Sequence, residues 1–168
     1  EEVFSKEIDD IIKWSENRQD LLDGLALTSI IIVTSNNRQQ LLLTLRSIYS
    51  QTYQNFEIIV IDDASADDTV AAVEEEFGAK ENLRYFINDE RLGKGECYNL
   101  GLEHCTGDYI AFTEVGDVWL NDKLEKQLEL LITNEDYDGI YSYARTMAYE
   151  GQQYLCPSSG NMLSNIQQ

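Results

Sequence analysis

The stretch TSIIIVTSNNRQQLLLTLRSIYSQTYQNFEIIVIDDAS, residues 28–65, decides the fold of this chain. It opens on a continuous apolar run, Ile30 to Val33, rich in β-branched residues. Such a run suits a strand buried on both faces, where alternation is neither needed nor expected. Apolar residues at Leu42, Leu45, Ile48 and Tyr49 then recur at helical spacing. FEIIVID is a second buried strand and ends in Asp62-Asp63. Strand, helix, strand without a hairpin turn is the signature of a right-handed crossover and a parallel sheet.

The same alternation continues outward. SADDTVAAVEEEFG reads as a helix capped by Ser65 and stopped by Gly78. NLRYFIN is a third strand, GECYNLGLEHC a helix, DYIAFTE a fourth strand, NDKLEKQLELLIT a helix capped by Asn121, and DGIYSYA a fifth strand. Upstream, residues 3–22 carry Phe4, Ile8, Ile11, Ile12, Leu21 and Leu22 at loosely helical spacing among many acids, with Asp23-Gly24 as a stop. This predicts an amphipathic extension over residues 1–27 that packs on the domain or on an upstream partner. Its acidic polar face is unsuited to docking on a membrane. The domain proper is expected over residues 28–168.

Composition narrows the function. With 168 residues the chain suits one domain, and its formal charge of −19 disfavours nucleic acid or an anionic membrane as partner, since both call for a basic face. An anionic ligand would need local cations, which makes Arg38, Arg91 and Lys94 candidates. Three cysteines, Cys97, Cys105 and Cys156, form no CxxC pair and read as reduced thiols of a cytosolic protein. The single histidine, His104, excludes a two-histidine zinc site and reads as a helix-surface residue. No apolar run reaches the ~20 residues needed to cross a bilayer. The first turn, VTSNNR, has no glycine, so the G-x-G-x-x-G fingerprint of nicotinamide enzymes is missing, and no P-loop occurs.

Ligands of open parallel sheets bind outside the carboxyl ends of the strands. Those ends carry Thr34-Ser35-Asn36, Asp62-Asp63, Asn88-Asp89 and Glu114 to Asp117. Acids gathered there are costly unless a cation or a ligand's hydrogen-bond donors meet them. Asp and Asn also serve as turn and cap residues, and that alternative stays open at this level.

These motifs in order, SIIIVTSNNR, EIIVIDDASADDT, GKGECYNLGLEHC and GDYIAFTEVGDVWLNDKLEKQ, resemble the family 2 glycosyltransferases of the GT-A fold over about residues 28–150. The resemblance implies a three-layer, Rossmann-like α/β domain with a mainly parallel sheet flanked by helices. It implies transfer of a sugar, with inversion, from a nucleotide-diphosphate donor such as a UDP-sugar, as in polysaccharide biosynthesis. Mg²⁺ or Mn²⁺ would bridge the diphosphate.

Carried over by position, the resemblance implies that Thr34 lies beside the nucleobase and that Ser35 and Asn36 belong to the nucleotide- or donor-binding residues. Asp63 accepts its N–H, a role matched to the imide of uracil or thymine. Lys94 flanks the nucleotide, and Glu114 takes the place of the first acid of Asp-x-Asp. The sequence also departs from the family pattern. Ser35 replaces a tyrosine that packs on the base, Tyr98 in ECYN replaces the arginine of ARN, and Gly116 replaces the last, metal-binding acid. Glu114 and Asp117 are then the candidate metal ligands. The family's general base is a carboxylate well beyond this segment, but after Glu150 the chain has no Asp, Glu or His. The acceptor half is therefore expected outside these residues, and no catalytic base is assigned. The alternative to a transferase is a silent GT-A-like module that partners an active one. Either is expected in the cytoplasm, peripheral to the membrane through another region or a partner.

Overall fold

The computed structural model describes residues 26–134, 136–142, 144–147 and 153–156. The expected helix over residues 3–22 lies outside them. Among the described residues, strands and helices alternate as β1 (Thr28–Thr34), α1 (Arg38–Tyr49), β2 (Phe56–Asp62), α2 (Thr69–Phe77), β3 (Leu83–Ile87), α3 (Lys94–Glu103), β4 (Tyr109–Glu114) and α4 (Lys123–Thr133), followed by two strands, β5 (Ala144–Met147) and β6 (Gln153–Cys156). The first four strands form one sheet in the order β3-β2-β1-β4, and every pair in it is parallel. This is the three-layer α/β arrangement expected from the sequence.

The two central strands explain the apolar runs. Ile30, Ile31, Ile32, Ile58, Ile59 and Val60 have no exposed surface at all. Each such side chain contributes roughly 1.5–3 kcal/mol relative to remaining in water. One face of the sheet packs Ile30, Ile32, Ile58 and Val60 against Leu41, Leu45 and Ile48 of α1, Val73 and Phe77 of α2, and Leu124 and Leu128 of α4. The other face gathers Ile59, Ile61 and Cys97, closed by Leu100 of α3. Gly101 is needed there, because a Cβ on it would lie 2.6 Å from Ile31 Cγ2. The outer strands are less covered, and Ile110 and Phe112 of β4 are 45% and 53% exposed.

Three sequence expectations change. Helix α2 begins at Thr69 with Asp68 in the cap position, not at Ser65. The Ser65 hydroxyl instead accepts the Asn36 N–H at 2.8 Å, so a neighbouring loop has captured it. Helix α4 begins at Lys123 after Asp122, not after Asn121, whose carbonyl accepts the Thr52 N–H at 2.7 Å. The fifth strand is not where DGIYSYA predicts it. Residues 138–142 form no strand, and β5 starts at Ala144 and pairs antiparallel with β6 in a separate two-stranded sheet. Tyr141 is 52% exposed, and β-propensity without a partner strand does not make a strand.

Candidate functional site

The parallel register brings the strand ends level at one edge: Thr34 sits opposite Asp62, Asp62 opposite Ile87, and Val33 opposite Glu114. The two acids that end β2 have different roles. Asp62 is fully buried, and its carboxylate accepts the Ser65 N–H at 2.8 Å and the Tyr85 hydroxyl at 2.6 Å. Burial first, and then that carboxylate, push the Tyr85 hydroxyl far above its ordinary range. Asp62 is thus a fold residue.

Asp63 is 8% exposed and holds the loop that follows β3. Its Oδ1 accepts the Leu92 N–H at 2.7 Å and the Asn88 amide at 3.2 Å, and its Oδ2 accepts the Gly93 N–H at 3.1 Å. Burial works against its charge, but the hydrogen bonds from Leu92, Asn88 and Gly93 outweigh it and hold the carboxyl below its ordinary range. The Cys97 thiol is a fourth partner, so about four acceptor positions are met from within the protein, and a ligand's N–H would have to displace one of these donors. The resemblance led to the expectation that Asp63 accepts a ligand's N–H; what the structure shows is that it organises the loop. Asn88, which donates to Cys97 Sγ at 3.3 Å as well, was likewise seen only as part of an acidic strand end.

Ser35 and Asn36 join two loops. The Ser35 hydroxyl donates to the Asp63 carbonyl at 2.9 Å, and the Asn36 side-chain oxygen accepts the Ala66 N–H at 2.7 Å. Asn36 and Ala64 both have left-handed backbone, with φ of 54° and 53°. That costs an alanine roughly 1–2 kcal/mol, which the cross-loop bonds must offset. Thr34 lies beneath, 2% exposed. Its hydroxyl has no partner among the described residues, a property shared by Thr28 at the opposite edge.

Lys94 opens α3, and its ammonium meets the Glu114 carboxylate. That hydrogen bond is the first reason the Lys94 ammonium titrates above its ordinary range. Lys94 also lies 5.9 Å from the centre of the Tyr98 ring, which packs edge-on against Phe112 at 5.4 Å. Of the other candidate cations, Arg38 is taken up by Asp68 at 2.6 Å, and Arg91 is exposed on the loop that Asp63 holds.

Glu114, Gly116 and Asp117 share one turn. The Asp117 carboxylate accepts the Glu114 N–H at 3.3 Å. Gly116 has φ +98°, a backbone that strains any side chain, so the turn itself accounts for a glycine at this position. Among the described residues no three His, Cys, Asp or Glu side chains converge as metal ligands. The turn offers carboxylates from Glu114 and Asp117 alone. That suits a hard cation only when other oxygens, such as those of a diphosphate, complete its shell. A cavity of about 330 Å³ lies elsewhere, between α2 and the outer strand β3, and holds none of the candidate residues. Among the described residues no helix is long and apolar enough to cross a membrane.

The chain matches the model of the family described as "Glycosyl transferase family 2" over residues 29–158. It is 36% identical over 143 residues to an uncharacterized glycosyltransferase of Haemophilus influenzae, covering 85% of this chain and 53% of that protein. It is 32% identical over 108 residues to the Escherichia coli UDP-Glc:alpha-D-GlcNAc-diphosphoundecaprenol beta-1,3-glucosyltransferase WfgD, covering 64% of this chain and 42% of that one. The chain therefore spans about half the length of these relatives. Among solved structures, S. aureus TarS 1-349 in complex with UDP-GlcNAc superimposes with a TM-score of 0.58 at 26% identity, over 62% of this chain and 30% of that one. A Pyrobaculum calidifontis mannosyltransferase in complex with GDP-Man and Mn²⁺ shares the fold, with a TM-score of 0.60 at 23% identity, over 76% of this chain and 42% of that one. A parallel sheet with its acids at the carboxyl edge and a family match over most of its length lead to one conclusion: this chain belongs to glycosyl transferase family 2.

Proposed function

We propose that this chain is the donor-binding part of a glycosyltransferase that takes a sugar from a nucleoside-diphosphate carrier. The observation that supports it most is the meeting of Thr34, Asp63, Lys94 and Glu114 at the carboxyl edge of a family 2 sheet. The ionised Asp63 carboxylate, exchanging one of its present donors, suits the imide N–H of uracil or thymine, which favours a UDP- or dTDP-sugar. Ser35 and Asn36 hold the adjoining loops in place around the base. Lys94 exchanges Glu114 for the diphosphate, putting a cation where negative charge grows as the leaving group departs. Mg²⁺ or Mn²⁺ would be held by Glu114 and Asp117 together with diphosphate oxygens, and would supply further neutralisation of that group. A cytoplasmic setting, with membrane attachment through another region or a partner, suits the free thiols of Cys97 and Cys105.

A silent partner module would keep the same strands and turns for packing alone. The transferase names of the relatives, and the UDP-sugar complex of a structural neighbour, favour the catalytic reading. Calorimetric titration with UDP and dTDP, with and without Mn²⁺, separates the two. Binding that weakens in Asp63→Ala supports a donor site. A folded protein that binds neither nucleotide in either condition is the silent module.

A further inference from the structure

Helix α1 turns Leu41, Leu45 and Ile48 to the sheet, so Leu41 takes the core place expected of Leu42, which with Tyr49 is only partly buried. The same buried side also carries polar residues: Thr44 and Ser47 on the helix and Gln51 just beyond it, 0%, 7% and 3% exposed. Buried hydroxyls and amides cost stability unless they are hydrogen-bonded. Each of these bonds the backbone of the segment that follows β4. Thr44 Oγ1 accepts the Gly116 N–H at 2.9 Å. Ser47 Oγ accepts the Trp119 N–H at 3.1 Å and donates to the Thr44 carbonyl at 2.8 Å. Gln51 donates its amide to the Leu120 carbonyl at 2.7 Å and accepts the Leu124 N–H at 2.9 Å.

Spaced three and then four residues apart, these side chains follow residues 116–124 along their length. The N–H groups of Gly116 and Trp119 belong to neither a strand nor a helix, so the α1 hydroxyls take the place of a ladder. From the other side Trp119 is pinned through Nε1, which donates to Thr113 Oγ1 at 3.1 Å. Glu114 ends β4, opposite Val33, and its carboxylate meets Lys94, whereas Asp117 is exposed and lies beyond the strand, its N–H donating to the Glu114 carbonyl at 3.1 Å. The position of Asp117 follows from the backbone of the turn, with Gly116 at its left-handed corner.

We propose that Thr44 and Ser47 are positioning residues for the diphosphate end of the donor site: by holding the N–H groups of Gly116 and Trp119 they set where Asp117, between them, stands relative to Glu114. This rests on the donor-site reading above. The two hydroxyls touch no ligand. Their action on binding is transmitted through the turn, whereas the nucleobase end, built by Asp63 and the loops around it, is independent of them.

Thr44→Val keeps the shape of the side chain and removes the acceptor. The test compares uridine with UDP, both in the presence of Mn²⁺, by NMR titration of wild type, Thr44→Val and Thr44→Ser. The expected result for Thr44→Val is uridine affinity within about twofold of wild type and UDP affinity about tenfold weaker. Thr44→Ser, which restores a hydroxyl, recovers UDP affinity. An unchanged ratio of UDP to uridine affinity in folded Thr44→Val overturns the proposal. So does an equal weakening of both ligands, which is what general loosening of the core would produce. If Thr44→Val does not fold, Ser47→Ala carries the same test by the same ratio. A wild type that binds neither ligand overturns the donor-site reading itself, and the positioning role with it.

Discussion

The two edges of the sheet each gather carboxylates, and they treat them differently. At the amino edge Glu57, 9% exposed, is enclosed. Its Oε1 accepts the Ser29 hydroxyl at 2.6 Å and the Thr106 N–H and hydroxyl at 2.7 and 2.9 Å, while Oε2 meets Arg84 at 2.5 Å. Burial opposes its charge, but the bonds from Ser29 and Thr106, and then the Arg84 guanidinium, prevail and hold the carboxyl below its ordinary range. At the carboxyl edge Asp63 is bonded to the loop after β3, whereas Glu114 and Asp117 face solvent. A closed carboxylate at one end is a lock between β1, β2, β3 and the turn before β4. At the other end Asp62 and Asp63 are bonded within the fold, and only Glu114 and Asp117 face solvent.

Substitutions can break this contrast. The largest stability effect should come from Glu57→Ala, which strands Arg84 and the donors of Ser29 and Thr106. We expect a loss of about 2–3 kcal/mol, below the cost of breaking a fully buried pair because Arg84 is partly exposed. Urea denaturation measures it, and UDP affinity of the folded variant should be unchanged. Asp63→Ala comes next, at about 1–2 kcal/mol, because Leu92 and Gly93 lose their acceptor. Here nucleotide binding should fall at least about tenfold, the reverse of Glu57. Both carboxyls lie below their unfolded values. Their contributions are therefore fully present above the ordinary carboxylate range and lost as pH falls through the lowered values. Acid titration of wild type against Glu57→Ala should show a shallower loss in the variant.

Lys123 tests the border between lock and site. Burial lowers it to about 8 although its ammonium lies 3.8 Å from the centre of the Trp119 ring and donates to Gln127 at 2.8 Å. The unfolded chain binds more protons between about pH 8 and the ordinary lysine value, so wild-type stability should rise with pH across that window. Lys123→Met should stabilise the protein by about 1 kcal/mol at pH 7, the relief from burying charge being partly offset by loss of the ring contact. Thermal midpoints at pH 7 and pH 10.5 check it, since the advantage should vanish at the higher pH. The smallest stability change should be that of Glu114→Gln, within about 0.5 kcal/mol, because its pair with Lys94 is exposed. If that substitution also leaves Mn²⁺-dependent UDP binding intact, the turn is not a ligand site.

Much of the fold was legible in the sequence because its signals are local. Ile30 to Val33 and Ile58 to Ile61 are apolar on consecutive residues, which only a strand covered on both faces explains. For the candidate site, only the placement of its residues was legible. Asp63, Lys94 and Glu114 fall at strand and helix ends, and the open-sheet rule points there. Ser35 and Asn36 were identified for their place, but their bonds to Asp63 and Ala66 were not visible. Nor were the true starts of α2 and α4, because Ser65 and Asn121 are good caps whose groups are claimed from other loops.

Sequence alone determined the alternation of strands and helices, the buried centre of the sheet, the family, and which edge carries the acids. These follow from side-chain type and near-neighbour spacing. Tertiary structure alone decided which acids are locked and which are open. Glu57 finds Ser29 across 28 residues and Thr106 across 49, and Gly116 finds Thr44 across 72. A carboxylate or an N–H group carries no mark of the partner it will meet. That partner is set only when the sheet brings distant segments within hydrogen-bond reach, and the same contact decides whether the group is spent on the fold or left for a ligand.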